Sequence, residues 1–167
     1  NRMGTIFKLG VKMQVKVINK TIAVSGGFDP IHAGHVRMVL AAAQYGDVIV
    51  ILNSDKWLEE KKGYAFMPWE ERAEIIRSIK GVVNVVNTIN DTDGSVCNTL
   101  RNLKRDIDLD YFANGGDRYM SNTPEMEVCN EVGIGLLWNV GGGKIQSSST
   151  LVENSRYGKR RIHGKEF

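Results

Sequence analysis

Hydrophobic positions along this chain fall into short runs separated by stretches with helical spacing. Thr21-Ile22-Ala23-Val24 is one such run, and Val48-Ile49-Val50-Ile51-Leu52 is another, unbroken by any polar residue. A continuous apolar run of this kind suits a strand covered on both faces. The pattern predicts strands over 20–25, 47–53, 82–87, 111–113 and 134–138. Helical spacing predicts helices over 34–45, 68–79, 94–105, 123–132 and 148–155. Pro68 suits the opening turn of its helix, Glu70 and Glu71 favour the positive end of its dipole, and Ile75, Ile76 and Ile79 read as its buried stripe. Strands alternating with helices imply an α/β, Rossmann-like three-layer sandwich built on a mostly parallel five-stranded sheet. Ligands in such folds lie beyond the carboxyl ends of the strands.

Near the start the period changes. Val11, Met13, Val15 and Val17 alternate with Lys12, Gln14 and Lys16, which predicts an extra strand at a sheet edge or in a homodimer contact. Residues 1–10 read as a non-native remnant or a disordered arm. The chain therefore divides into an N-terminal extension over 1–19, a domain over 20–155 and a basic tail over 156–167.

Composition adds limits. At 167 residues, 42% hydrophobic and 25% charged, the chain suits one globular domain. No apolar run approaches the ~20 residues that cross a bilayer, and no signal peptide is visible, so a cytoplasmic protein without membrane partners is expected. Cys97 and Cys129 match no metal spacing and read as reduced, buried small hydrophobes. The net charge of +3 is uneven: residues 1–20 carry +5 and 154–167 carry +4, which leaves the middle at −6. A nucleic-acid reader concentrates positive charge on its folded face, so an acidic body argues against that class.

The chemistry concentrates in Gly26-Gly27-Phe28-Asp29-Pro30-Ile31-His32-Ala33-Gly34-His35. It joins a strand to a helix through a glycine turn. The glycines allow close backbone approach, and the helix start offers free N–H groups to an anion. His32 and His35 are three apart and share one side of the first turn. Further candidates follow. Asn53 and Asp55 close the second predicted strand, and Lys61 and Lys62 follow in a predicted mobile loop, where ordinary solvated charge is the plainer reading. Arg72 lies about one turn into the 68–79 helix, within reach of a phosphate or of a neighbouring acid. Gly115, Gly116 and Asp117 suit a base or ribose, or a plain turn. Ser147, Ser148 and Ser149 offer hydroxyls and N–H groups to phosphate, or a simple helix cap.

Taken together, Gly-Gly-Phe-Asp-x-x-His-x-Gly-His, Asn53-Ser54-Asp55, Lys62-Gly63, Pro68-x-Glu70-x-Arg72, Gly115-Gly116-Asp117 and Ser147-Ser148-Ser149 resemble the cytidylyltransferase-like nucleotidyltransferase superfamily. Their order is similar to that of heptose 1-phosphate adenylyltransferase domains and, less closely, glycerol-3-phosphate cytidylyltransferases. Met67, where Arg is common, and Gln146 before the serines depart from that pattern. The resemblance implies transfer of a nucleoside monophosphate from a triphosphate, ATP favoured, to a sugar or polyol phosphate, with release of pyrophosphate. It implies that His32, His35, Lys62 and Arg72 stabilise charge at phosphorus. It also implies that Gly26, Gly27, Phe28, Asp29, Gly34, Asn53, Asp55, Lys61, Gly115, Gly116, Asp117 and Ser147–Ser149 surround the nucleotide. Mg²⁺ held mainly by substrate phosphates, with no metal cluster of the protein's own, is the matching cofactor expectation. A CTP-dependent enzyme acting on glycerol 3-phosphate and a non-catalytic nucleotide-binding module stand as alternatives.

Overall fold

The computed structural model describes residues 19–89, 93–115 and 123–156, together with the backbone of strands at 3–8, 11–16, 161–162 and 165–166. Five parallel strands form the main sheet: β3 (Thr21–Gly26), β4 (Asp47–Leu52), β5 (Val82–Asn87), β6 (Tyr111–Ala113) and β7 (Gly135–Leu137). Their order is β5-β4-β3-β6-β7. The chain winds outward from β3 through β4 to β5, then returns to the far side of β3 for β6 and β7. The reversal falls between β3 and β6, the place where doubly wound sheets open a crevice. Here β3 and β6 pair only at Ile22↔Tyr111 and Ala23↔Phe112, and they diverge beyond those residues.

Both faces of the sheet are covered. On one face Ile22, Val24, Val48, Val50 and Leu52 pack with Val39 and Ala42 of α1 (Ala33–Ala42) and Ala73 and Ile76 of α3 (Trp69–Arg77). On the other, Ala23, Ile49 and Ile51 pack with Leu100 of α4 (Cys97–Ile107) and Val128 and Cys129 of α5 (Pro124–Val132). This is the Rossmann-like three-layer sandwich. Among the described residues no helix is long and apolar enough to cross a membrane.

Three expectations need correction. β2 (Val11–Lys16) does not extend the main sheet: it pairs antiparallel with β1 (Met3–Lys8), inside the stretch read as an arm, and Val17 lies outside the described residues. β8 (Arg161–Ile162) and β9 (Lys165–Glu166) form a second small antiparallel pair within the basic tail. Ile75 is 40% exposed, because α3 turns Arg72, Ala73 and Ile76 inward instead. Finally, Lys61 and Lys62 are not in a loop. They end α2 (Asp55–Lys62), which Ser54 caps by accepting from Trp57 N, and which Gly63 closes in the left-handed conformation at φ 85°. α2 buries only Leu58 fully, so its apolar periodicity is too weak to show a helix.

Candidate active site

The turn after β3 ends in two imidazoles that cap a helix. His32 is the N-cap of α1, and its Nδ1 accepts from Gly34 N at 3.1 Å. His35 reaches back, its Nδ1 accepting from His32 N at 3.2 Å. The arrangement is a capping box in which histidines stand where a hydroxyl and a carboxylate are usual. The rings stack at 3.7 Å between centroids, and the Phe28 ring lies against His35 at 4.7 Å. Gly34 is needed for space: a Cβ there would stand 3.0 Å from the His32 ring.

This geometry fixes the tautomer. A neutral imidazole has one N–H, and both Nδ1 atoms are acceptors, so the proton sits on Nε2 of each ring. Burial, with Lys144 nearby, lowers the pKa of His32 below its ordinary value. Burial, then His32, then Lys144 push His35 down to about 3. At neutral pH two uncharged rings therefore each hold an Nε2–H donor on the edge away from the helix backbone.

A cavity of about 270 Å³ adjoins them, lined by His32, Gly34, His35, Arg37, Gly115, the 140–146 loop and Ser147–Ser149. A smaller one of about 180 Å³ adjoins Ser25, Gly26, Phe28, Ala113 and Asn114 and shares His35, Met38 and Gly115 with the first. The pair follows the crevice between the diverging ends of β3 and β6. The 140–146 loop is packed tightly on α1: Gly141 has φ 88°, and a Cβ on it would stand 2.8 Å from Met38 Cα. The serines begin α6 (Ser148–Arg156); Ser148 Oγ donates to Pro30 O at 2.7 Å, tying that helix start to the histidine turn.

Other predicted residues stand elsewhere. Arg72 was expected at a phosphate, yet it is fully buried. Its Nε donates to Met67 O at 3.0 Å, Nη1 to Gly27 O at 2.7 Å and Asn53 O at 2.9 Å, and Nη2 to Asp55 Oδ1 at 2.5 Å. It fastens α3 to the ends of β3 and β4. Asp29, 3% exposed, accepts from Phe66 N and Met67 N and pairs with Lys62 Nζ at 2.7 Å. Lys62 Nζ also donates to Asp29 O. Lys61 lies over the Trp57 ring at 4.4 Å. A Cβ on Gly27 would meet Leu58 Cδ2 at 2.9 Å, so this glycine sits close against α2. Asp29 with Lys62, and Asn53 and Asp55 with Arg72, thus make supporting contacts beside the two cavities, and Lys61 lies apart from them over Trp57. Gly116 and Asp117 lie outside the described residues.

The cavity also holds residues that the sequence reading did not single out, Arg37, Met38, Lys144 and Ile145. The run Gly141-Gly142-Gly143-Lys144 was the available signal, since glycines beside a lysine suit a phosphate-facing loop.

A parallel sheet with a histidine-capped helix start at its point of reversal is a Rossmann-like fold with its cavities at the crevice, and the comparisons supply the family. The sequence model of the cytidylyltransferase-like family matches residues 23–135, and the chain belongs to that family. It is 42% identical over 67 residues to an FAD synthase of Pyrococcus horikoshii, covering 39% of this chain and 45% of that protein. It is 30% identical over 124 residues to the bifunctional protein HldE of Streptomyces coelicolor, covering 72% of this chain and 25% of that one. The chain spans about half the length of the Pyrococcus relatives it matches. The crystal structure of a lipopolysaccharide core biosynthesis protein from Thermoplasma volcanium shares the fold, with a TM-score of 0.58 at 19% identity over 72% of this chain and 93% of that one.

Proposed function

We propose that this chain transfers a nucleoside monophosphate from a nucleoside triphosphate, ATP favoured, to a small phosphorylated acceptor. A phosphate oxygen of the acceptor attacks the α-phosphorus; the new P–O bond forms as the bond to the β-phosphate oxygen breaks, and pyrophosphate leaves. The acceptor is already an anion, so no protein nucleophile is required. Catalysis then rests on positioning and on donors aimed at the oxygens where charge collects.

The observation that carries this reading is the paired imidazole cap. With both Nδ1 atoms committed to the helix backbone, both Nε2–H groups are fixed as donors beside a cavity at a helix start. The N-terminal end of α6 faces the same cavity, and the hydrogen-bonded Ser147–Ser149 hydroxyl pair keeps one O–H to offer there, the Ser148 hydroxyl being spent on Pro30 O. Mg²⁺ enters this scheme with the triphosphate, held by phosphates and water. Asp29 and Asp55 are already committed to Lys62 and Arg72.

For the acceptor, the resemblance favours a sugar or polyol phosphate, and the FAD synthase relatives add flavin mononucleotide as a phosphate-bearing candidate. The test is pyrophosphate release with each of the four ribonucleoside triphosphates and Mg²⁺ against a panel of sugar phosphates, polyol phosphates and flavin mononucleotide. Release that depends on both substrates and is fastest with ATP supports the reading. Tight triphosphate binding without release from any pair would make the chain a binding module instead.

A further inference from the structure

We infer that Lys144, with Arg37 in the wall of the same cavity, is the cationic clamp for the triphosphate tail, and that this pair makes the site prefer triphosphates over monophosphates. The inference rests on the nucleotidyltransferase reading and assigns the charge which that reading needs.

A triphosphate in a cleft needs compensating positive charge. The two cations that the motif order would supply are spent: Lys62 on Asp29, and Arg72 on Asp55 and three carbonyls. The imidazoles are neutral and contribute donors only. Two cations remain in the cavity wall, Arg37 on α1 and Lys144 on the 140–146 loop. Among the described residues neither forms an ion pair, whereas Lys20, Lys56, Lys62, Arg72, Arg101, Lys104 and Arg105 all do.

The placement of Lys144 is built in, not incidental. Gly141 presses the loop against the α1 backbone at Met38, and Ser148 ties the following helix start to Pro30 O. The loop that carries Lys144 is therefore anchored at one end to α1 and at the other to the histidine turn. The ammonium is close enough to act on both imidazoles, since its charge helps lower the pKa of each. A cation that disfavours protonation of the rings favours an anion in the same space.

Wild type, Lys144→Ala, Arg37→Ala and Lys144→Arg test this, with Lys56→Ala as a surface control. Binding of ATP and AMP is measured by calorimetry, with circular dichroism as the folding check. Lys144→Ala is expected to weaken ATP about ten- to a hundredfold and AMP by less than about threefold. Arg37→Ala is expected to fall between that variant and wild type, and Lys144→Arg to restore most of the loss. NMR titration of the imidazoles gives a readout independent of ligand: both pKa values rise in Lys144→Ala. Folded Lys144→Ala that binds ATP as tightly as wild type overturns the clamp while leaving the nucleotidyltransferase reading intact. Wild type that binds no triphosphate overturns both.

Discussion

His32 and His35 each use one ring edge for the backbone and keep the other for the cavity, so their structural and chemical duties are separable by substitution. Asn is among the best N-cap residues and places an oxygen near the position of Nδ1, but it has nothing at Nε2. His32→Asn is expected to unfold at nearly the wild-type temperature and to lose about a hundredfold or more of its pyrophosphate release. His32→Ala should lose the cap as well, at about 1 kcal/mol in a denaturant titration. Retained turnover in folded His32→Asn would remove the donor from the mechanism. The same rings set an acid limit. Both are held neutral in the fold, so the unfolded chain takes up protons first as pH falls. Their contribution is fully present above the ordinary imidazole range near 6.5 and is lost toward about 3, the value to which His35 is pushed. Stability measured from pH 7 to pH 4 should fall in wild type and fall less steeply in His35→Gln. The histidine motif was legible because its partners are two or three residues apart in sequence. The contacts of Asp29 and Arg72 were not legible, because the partners of Asp29 lie 33 to 38 residues away and those of Arg72 range from 5 to 45, where a single sequence gives no pairing information.

Among the elements, α3 shows how a charged residue comes to look like a ligand contact while serving as a fastener. Arg72 lies one turn into the helix and points inward at the carboxyl ends of β3 and β4. Removing it strands the carbonyls of Gly27, Asn53 and Met67 together with the carboxylate of Asp55. Arg72→Met is expected to cost about 3 kcal/mol or more, read as a lower denaturant midpoint, and Arg72→Lys should recover little, because an ammonium cannot reproduce the planar fork. A stable Arg72→Met that lost only activity would return Arg72 to the phosphate. β4, buried from Val48 to Leu52, was plain from its apolar run. α2 was not, although Ser54 and Gly63 mark both of its ends. Its polar faces hid the period, and cap residues alone are common in loops. Strand pairing at the N-terminus was half legible: alternation predicted a strand over Val11–Val17, but alternation says nothing about which strand it will pair with.

At the scale of the whole molecule, fold class followed from the order of strands and helices, while the location of the cavity depended on strand order, which the sequence does not state. Reversal between β3 and β6 leaves those strands joined by two register pairs, against six between β3 and β4. The sheet is thus two half-sheets stitched along a short seam, with β6 and β7, three residues each, on the smaller side. The proposed substrate would lie across that seam, touching the β3–α1 turn on one side and Gly115 on the other. A bound nucleotide would then serve as the missing rungs of the ladder. At a hundredfold excess over its dissociation constant it should add about 2.7 kcal/mol, and a rise of several degrees in the unfolding temperature. In hydrogen exchange that protection should concentrate in β6 and β7 and leave β4 unchanged. Substrate would in this way complete the sheet as well as react on it, and the empty protein would be the form most exposed to proteolysis between its two halves.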